Sequence, residues 1–534
     1  MIGREFSYAV LRAVTHVNEI ALRQELTRLV QAEIVYQRGV PPQATYIFKH
    51  ALIQDAAYQS LLKQTRQHYH QRLVEVLEEQ FPDVVSTQPE LVAHHAAAAG
   101  RTAQAIVYWQ HAGQHAFDKS AYQEAEAHLK HGLALVQTLP NSLERTPHEL
   151  DLHVALGPIL MITHGVDTPE VEQVYTRAYA LCQQVEETPQ LFPTLRGLWH
   201  FYYVRGPAQT AHELAERLLA LAQTQQDPAM IREAHMALGL ALYHEVALTS
   251  ALHHLEQGLT FCDPTTRHAI HGVLHPEIVC LLMSGIVLWY LGYPDRARTR
   301  IHEGLDVAQQ LAHPHYQVWG LHVGAVFYQL YRDARAVGEL AEATVAQASE
   351  QQIQLGLTEG RLLRQWALAQ ENVRQAEIDV MHQAITAYRR HGNTSGFVRY
   401  LVLIAEVQGR CGQIEDGLAG LAEAEALVAQ TGEYMYLAEL FRGKGELLQK
   451  AVDGGRQTLE TPESYFLRAL EITRQQQAKS LELRAAISLS RLWHRQGKRQ
   501  DAYDLLAPAY GWFTEGFDTA DLQEAKALLN ELEG

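Results

Sequence analysis

WQHAGQHAFDKSAYQEAEAHLKHG, residues 109–132, repeats small side chains at fixed intervals. With Ala125 as anchor, Gly113 lies twelve residues earlier, Gly132 seven later, and Leu129 four later. Both halves are rich in good helix formers, and Ser120 between them suits a tight turn. The offsets describe two helices that approach closely where a side chain is missing, with Leu129 filling the space beside the gap. They recur at Gly239, Ala251, Gly258, at Gly285, Ala297, Gly304, and at Gly324, Ala336, Ala343. Two more units keep small residues there: Ala405, Gly417, Ala424, and Ser490, Ala502, Ala509. Five residues before an anchor the chain often places Gly or Ser, as at Ser120, Gly206, Gly292, Gly412 and Gly497.

This spacing resembles the tetratricopeptide repeat, with Trp109, Gly113, Ala125, Leu129 and Gly132 on that family's positions. The likeness has departures. Anchors Ala211 and Ala376 face Trp199 and Arg364 instead of small partners. Anchors recur every ~40 residues, against about 34 in the family. The resemblance implies an all-α tetratricopeptide-like α-solenoid, a right-handed superhelix of about ten helix pairs over residues 102–515, with its concave face open to a partner. Two pairs, near 148–187 and 434–476, match poorly. The expected organisation is a front module with a linking helix over 1–80, a solenoid over 81–517, and a C-terminal capping helix over 518–534.

Bulk properties agree. At 534 residues the chain is too long for one compact core. Its net charge of −17, with no dense Lys/Arg block, argues against general nucleic-acid binding. Four scattered cysteines suit a reducing compartment. The charged N-terminus is not a signal peptide, and the longest apolar stretch, residues 278–291, is too short to span a bilayer. A cytoplasmic protein without membrane contact is expected.

The first residues differ from the rest. REFSYAVLRAVT (4–15) and NEIALRQELTRLVQ (18–31) read as amphipathic helices, and IVYQRG, PPQ and TYIFKH as one β-hairpin. Helices followed by a hairpin are the order of a winged helix. A DNA-reading version needs free cations on its second helix, yet Arg23 and Arg28 stand beside Glu19 and Glu25. In YIFKHALIQDAAYQSLL (46–62) a strand runs into a helix with His50 at the joint.

GREFSY (3–8), the stretch 32–62, ESYFLRALEITRQQQAKSLELRAAISLSRLWHRQGK (463–498) and LLAPAYGWFTEGFDTADLQEAKALL (505–529) resemble the C-terminal half of a bacterial signalling group. Its members join a class III nucleotide cyclase, a STAND-type ATPase, a winged-helix segment and a tetratricopeptide array. The resemblance implies that His50 touches a nucleotide phosphate when an ATPase domain is present. The alternative is a local role for His50 at the joint. No GxxxxGK[ST] motif and no cyclase core with paired aspartates occurs. The two catalytic domains are therefore expected upstream of Met1 or lost.

No catalytic residue, cofactor or metal is expected. His268, His271 and His275 have metal-like spacings but fall in a connection between helices. The expected function is non-catalytic: a protein, peptide or inducer binds the groove, and the event passes to an ATPase or cyclase module. Trp199, Tyr202 and Tyr203, in the irregular LWHFYYVRG segment, are the candidate partner contacts, with core packing as the alternative. The competing reading is a DNA-binding regulator with the array as sensor.

Overall fold

The computed structural model describes residues 2–15, 17–140, 145–185, 188–262, 273–390, 396–456 and 460–533. They divide into two compact units. The first comprises residues 1–163 and 174–190, the second 164–173 and 191–534.

The first unit opens with β1 (Glu5–Ser7), α1 (Tyr8–Val14), α2 (Glu19–Gln31), β2 (Val35–Arg38) and β3 (Thr45–Phe48). The sheet is antiparallel in the order β1-β3-β2. Residues 5–7 thus correct the expectation of a helix from residue 4. They pair with β3, and Ser7 caps α1 by accepting from the Ala9 amide at 3.1 Å. Tyr8, Leu22, Leu26, Val35, Ala44 and Tyr46 form the core between helices and sheet. Then come α3 (Ala51–Gln59), α4 (Lys63–Gln80), α5 (Pro82–Thr87) and α6 (Pro89–Ala98). Leu73, Val74 and Leu77 of α4 pack with Val10 and Val14 of α1 and with Val92 and Ala96 of α6. α3 buries none of its residues.

The described residues from Thr102 to Gly511 form ten helix pairs. They are α7 (Thr102–Asp118) with α8 (Tyr122–Val136), α9 (Arg145–Thr163) with α10 (Pro169–Cys182), and α11 (Leu191–Arg205) with α12 (Ala208–Gln225). Next are α13 (Pro228–His244) with α14 (Leu248–Thr260), α15 (Pro276–Tyr290) with α16 (Pro294–Leu311), and α17 (Pro314–Tyr331) with α18 (Ala334–Glu350). The last are α19 (Gln354–Glu371) with α20 (Gln375–Arg390), α21 (Phe397–Arg410) with α22 (Ile414–Thr431), α23 (Leu437–Asp453) with α24 (Pro462–Gln475), and α25 (Lys479–Arg495) with α26 (Arg499–Gly511). α27 (Ala520–Glu533) packs on α25 and α26. The fold is an all-α, tetratricopeptide-like solenoid, and among the described residues no strand follows β3.

The small residues do two jobs. A Cβ on Gly113 would lie 2.5 Å from Leu129, and one on Gly239 2.8 Å from Leu255, so these glycines let the two helices of a pair meet. Gly285 stands in the same relation to Ile301. A Cβ on Gly132, Gly258 or Gly304 would instead strike Leu152, Cys280 or Leu282, on the first helix of the same or an adjoining pair. The anchors Ala125, Ala251, Ala297 and Ala502 are fully buried.

Five residues before the anchors, Ser120, Gly206, Gly292, Gly412 and Gly497 all adopt positive φ, the left-handed turn that glycine enters most easily. The same position exposes a slip in the ruler. In α18 the left-handed residue is Arg332, and the buried face runs through Val337, Ala341 and Thr344. Gly324, Ala336 and Ala343 are therefore out of register by one. Ala336 and Ala343 are only half-buried, and a Cβ on Gly324 would meet nothing closer than 3.4 Å.

In the second unit the first helices of the pairs form an inner layer. α15 buries fourteen of its fifteen residues, whereas α16 buries a single face. That layer runs α15, α17, α19, α21, α23, α25, and α25 returns to pack on α15. Ser480 Oγ donates to the Trp289 carbonyl at 2.5 Å. Glu515 accepts from the amides of Asp295 and Arg296 at 3.0 and 3.1 Å, and Asp295 accepts from the Gly516 amide at 2.9 Å. The open concave face expected from the repeats is, in this unit, drawn together around a cleft.

Candidate functional site: a cationic cleft in the second unit

The inner helices α17, α19, α21, α23 and α25, together with α27 and with Ala334 of α18 and Leu421 of α22, line a cavity of about 420 Å³. Seven Arg or Lys and five Asp or Glu line it, a positive balance inside a chain of net charge −17.

One wall is a neutralised network. Arg442 grips Glu439 through two parallel bonds of 2.9 Å, the fork geometry that guanidinium and carboxylate share. Arg484 donates to Asp521 at 2.8 Å and lies 3.8 Å from Glu439. Arg332 joins Asp521 at 2.8 Å and Glu524 at 2.5 Å. Burial pushes the Glu439 carboxyl up, but Arg442 and Arg484 prevail and hold it at about 2.

The other wall lacks such partners. Arg399, nine-tenths buried, donates to the hydroxyls of Tyr400 at 3.0 Å and Tyr436 at 3.4 Å, and its Nε–H has no acceptor. Arg410 donates to the side chain and carbonyl of Gln370, and Lys450 to the Gly409 carbonyl at 3.2 Å. Around Arg399 stand the buried Tyr388, Tyr400 and Tyr436. Burial raises the carboxyls of Glu359 and Glu433 to about 7. Trp366 is fixed by its indole N–H, which donates to Glu406 at 3.2 Å.

The candidate partner contacts from the sequence are not in this cleft. Trp199 is 1 % exposed, with the Arg196 guanidinium 4.6 Å from its ring and Tyr203 stacked at 5.1 Å. Tyr203 also stacks on His244 at 4.3 Å, and Tyr202 is half-buried. Trp199 therefore fills the space left where a small residue is missing, and it is core. Trp109 is likewise core, ringed by His94, His128 and His131 at 4.7, 5.3 and 5.0 Å.

His50 is exposed at the N-terminus of α3, and its side chain makes no capping bond. Leu52 and Leu62 nearby are 80 % and 77 % exposed. In α2, Arg23 pairs with Glu19 and Arg28 with Glu25, both at 2.7 Å, so neither is a free cation for phosphate. His268 and His271 lie outside the described residues, and His275 is buried at the start of α15. Among the described residues no three His, Cys, Asp or Glu gather as a metal set, and no helix is long and apolar enough to cross a membrane.

The repeat ruler does not reveal Arg399, Arg410 and Lys450. The visible signal is one charge inside an apolar run on a first helix, Arg399 in FVRYLVLIAEV.

No family model matches the chain. An uncharacterized protein of Rhizobium meliloti (strain 1021) is 24% identical over 498 residues, covering 92% of this chain and 48% of its own length. The chain thus spans about half the length of the curated relative it matches. Among solved structures, a Rap protein complexed with competence and sporulation factor has 10% identity and a TM-score of 0.48, over 72% of this chain and 99% of that one. A STAND protein with a tetratricopeptide repeat sensor from Pyrococcus horikoshii has 13% identity and a TM-score of 0.47, over 83% and 63%. The Cut9–Hcn1 hetero-tetramer has 12% identity and a TM-score of 0.46, over 88% and 91%. These likenesses concern the fold alone.

Proposed function

We propose that this chain is a non-catalytic regulatory scaffold that takes a peptide, or a peptide-like segment of a protein, into the cleft of its second unit. The observation that carries the reading is the cleft itself. Five inner helices and α27 line it, its volume is about 420 Å³, and its lining mixes aromatic, apolar and charged groups with an excess of cations. Such a lining suits a ligand with both a polar backbone and side chains.

The front module supports the second half of the proposal, coupling to an ATPase or nucleotide cyclase module. One strand, two helices and a hairpin closing a three-stranded sheet support reading this module as winged-helix-like. Behind it α3 stays unburied with Leu52 exposed beside His50, a surface fitted to a further domain. His50 is our candidate for the nucleotide-phosphate contact in that assembly. Ion pairing of Arg23 and Arg28 within α2 speaks against the DNA-binding alternative.

The test of the cleft uses synthetic N-acetylated random pentapeptides passed over the immobilised full chain. Retention that disappears in Val402→Trp, which fills the cleft, supports the reading. Retention unchanged by that substitution, or none at all, ends it. The purified chain is expected to show no ATP hydrolysis and no cyclic nucleotide formation. Turnover abolished by a substitution within this chain contradicts the non-catalytic part.

A further inference from the structure

We infer that Arg399 is the anchor for a carboxylate presented by the ligand of the cleft, an inference that rests on the cleft being the binding surface. A buried charge is costly unless it is matched, and in this cleft the matched and unmatched cations separate cleanly. Arg332, Arg442, Arg484 and Arg491 each hold a carboxylate. Arg399 is as buried as Arg484, yet among the described residues it forms no ion pair and bonds two phenol hydroxyls instead. Of its five N–H donors, Nε–H points at nothing.

The nearby acids do not supply the missing charge. Glu433 accepts from the Gly396 amide at 2.5 Å, and Glu359 lies 3.6 Å from His322. Neither reaches ion-pair distance of Arg399, and burial holds both near half-protonation at neutral pH. The tyrosines instead hold the guanidinium in place, with the Tyr400 ring 4.7 Å from it. With both terminal nitrogens bonded to phenol hydroxyls and Nε–H buried without an acceptor, the guanidinium still lacks a counter-charge, and a carboxylate entering the cleft would supply it.

Arg410 extends the argument. It lies eleven residues along α21 from Arg399, about 16 Å at the helical rise. That span equals roughly five residues of extended chain. Lys450 lies beside Arg410, both bonded to neutral groups near Gly409 and Gln370. A short acidic peptide with one carboxylate at Arg399 matches this row. The carboxylate comes from either the peptide C-terminus or an Asp or Glu side chain.

The experiment uses two pools of N-acetylated random pentapeptides, one ending in the free acid and one in the amide. Both are passed over the immobilised full chain, and retained sequences are read by mass spectrometry. A terminal carboxylate gives at least tenfold preference for the acid pool. A side-chain carboxylate gives equal retention of both pools, with Asp or Glu enriched at one position. In either case Arg399→Gln lowers retention at least tenfold, and Arg399→Lys, which keeps charge without the fork, retains part of it. Retention of neutral amides equal to that of acids, or an Arg399→Gln protein that binds acids like the wild type, overturns the inference while leaving peptide binding in place. No retention by the wild type overturns both readings. Thermal melting separates a structural role: Arg399→Gln is expected to melt at or above the wild-type temperature, and a large drop overturns the inference.

Discussion

α2 and α21 are helices of similar length, and each carries two arginines, but only α21 buries one of them, Arg399, while Arg410 at its end is exposed. In α2 each arginine has a glutamate three or four residues earlier on its own helix, and both pairs are exposed. In α21, Arg399 stands in an apolar run among buried tyrosines and Arg410 bonds an amide. An exposed arginine with a local partner is a solvated face. A buried one without a carboxylate marks a place where the fold tolerates an unmatched charge, which makes it a candidate binding site.

The comparison is sharpened most by the matched cations of the same cleft. Glu439→Gln removes the carboxylate that Arg442 grips in a fork and that lies 3.8 Å from Arg484, leaving Arg442 only the more distant Glu446 at 3.7 Å and Arg484 only Asp521. It should destabilise the second unit by about 3 kcal/mol or more in urea denaturation. An effect as small as that of an exposed pair would show that the network is solvated and that the contrast with Arg399 is empty. Arg399→Met is the counterpart. It removes a charge that no carboxylate matches, and although the Tyr400 and Tyr436 hydroxyls lose a donor, stability should stay level or rise.

Acidity distinguishes the same groups with opposite signs. Glu439, held at about 2 against an ordinary 4.5, contributes stability that is present above 4.5 and lost as pH falls towards 2. Glu359 and Glu433, raised to about 7, act in reverse. The native state keeps their protons longer than the unfolded chain does, so stability declines as pH rises from 4.5 to 7. Glu359→Gln should flatten that decline and leave the acid limb unchanged. An unaltered profile between pH 4.5 and 7 would show that Glu359 is not the titrating group. The smallest effect belongs to α2: Arg28→Gln, which breaks only the exposed pair with Glu25, should leave the melting temperature unchanged within error. A clear loss would mean that Arg28 is structural after all.

The helix pairs were legible because their signal is local. A twelve-residue offset such as Gly113 to Ala125 spans one turn between two helices, and the left-handed residue five before the anchor recurs in the backbone of every well-matched unit. The reading slipped at Ala336 because Arg332 takes the left-handed turn usually given to glycine, which moves the buried face to Val337. β1 was missed because three residues are too few to show alternation, and its partner β3 lies some forty residues on. For Trp199 the aromatic run leaves partner contact and core packing both open, and the structure makes it core. The return of α25 onto α15 rests on contacts about 190 residues apart, such as Ser480 to Trp289, and periodicity within a repeat carries no trace of them. Arg399 escaped for the same reason, since its lack of a partner is a property of five helices together.

The most direct measurement is hydrogen exchange of the full chain with and without a peptide retained in the pool experiment. Slowed exchange is expected chiefly in α19, α21 and α23, the helices that carry Trp366, Arg399, Arg410 and Lys450. Protection confined to the outer helices α20, α22 and α24, or to the front module, would contradict it.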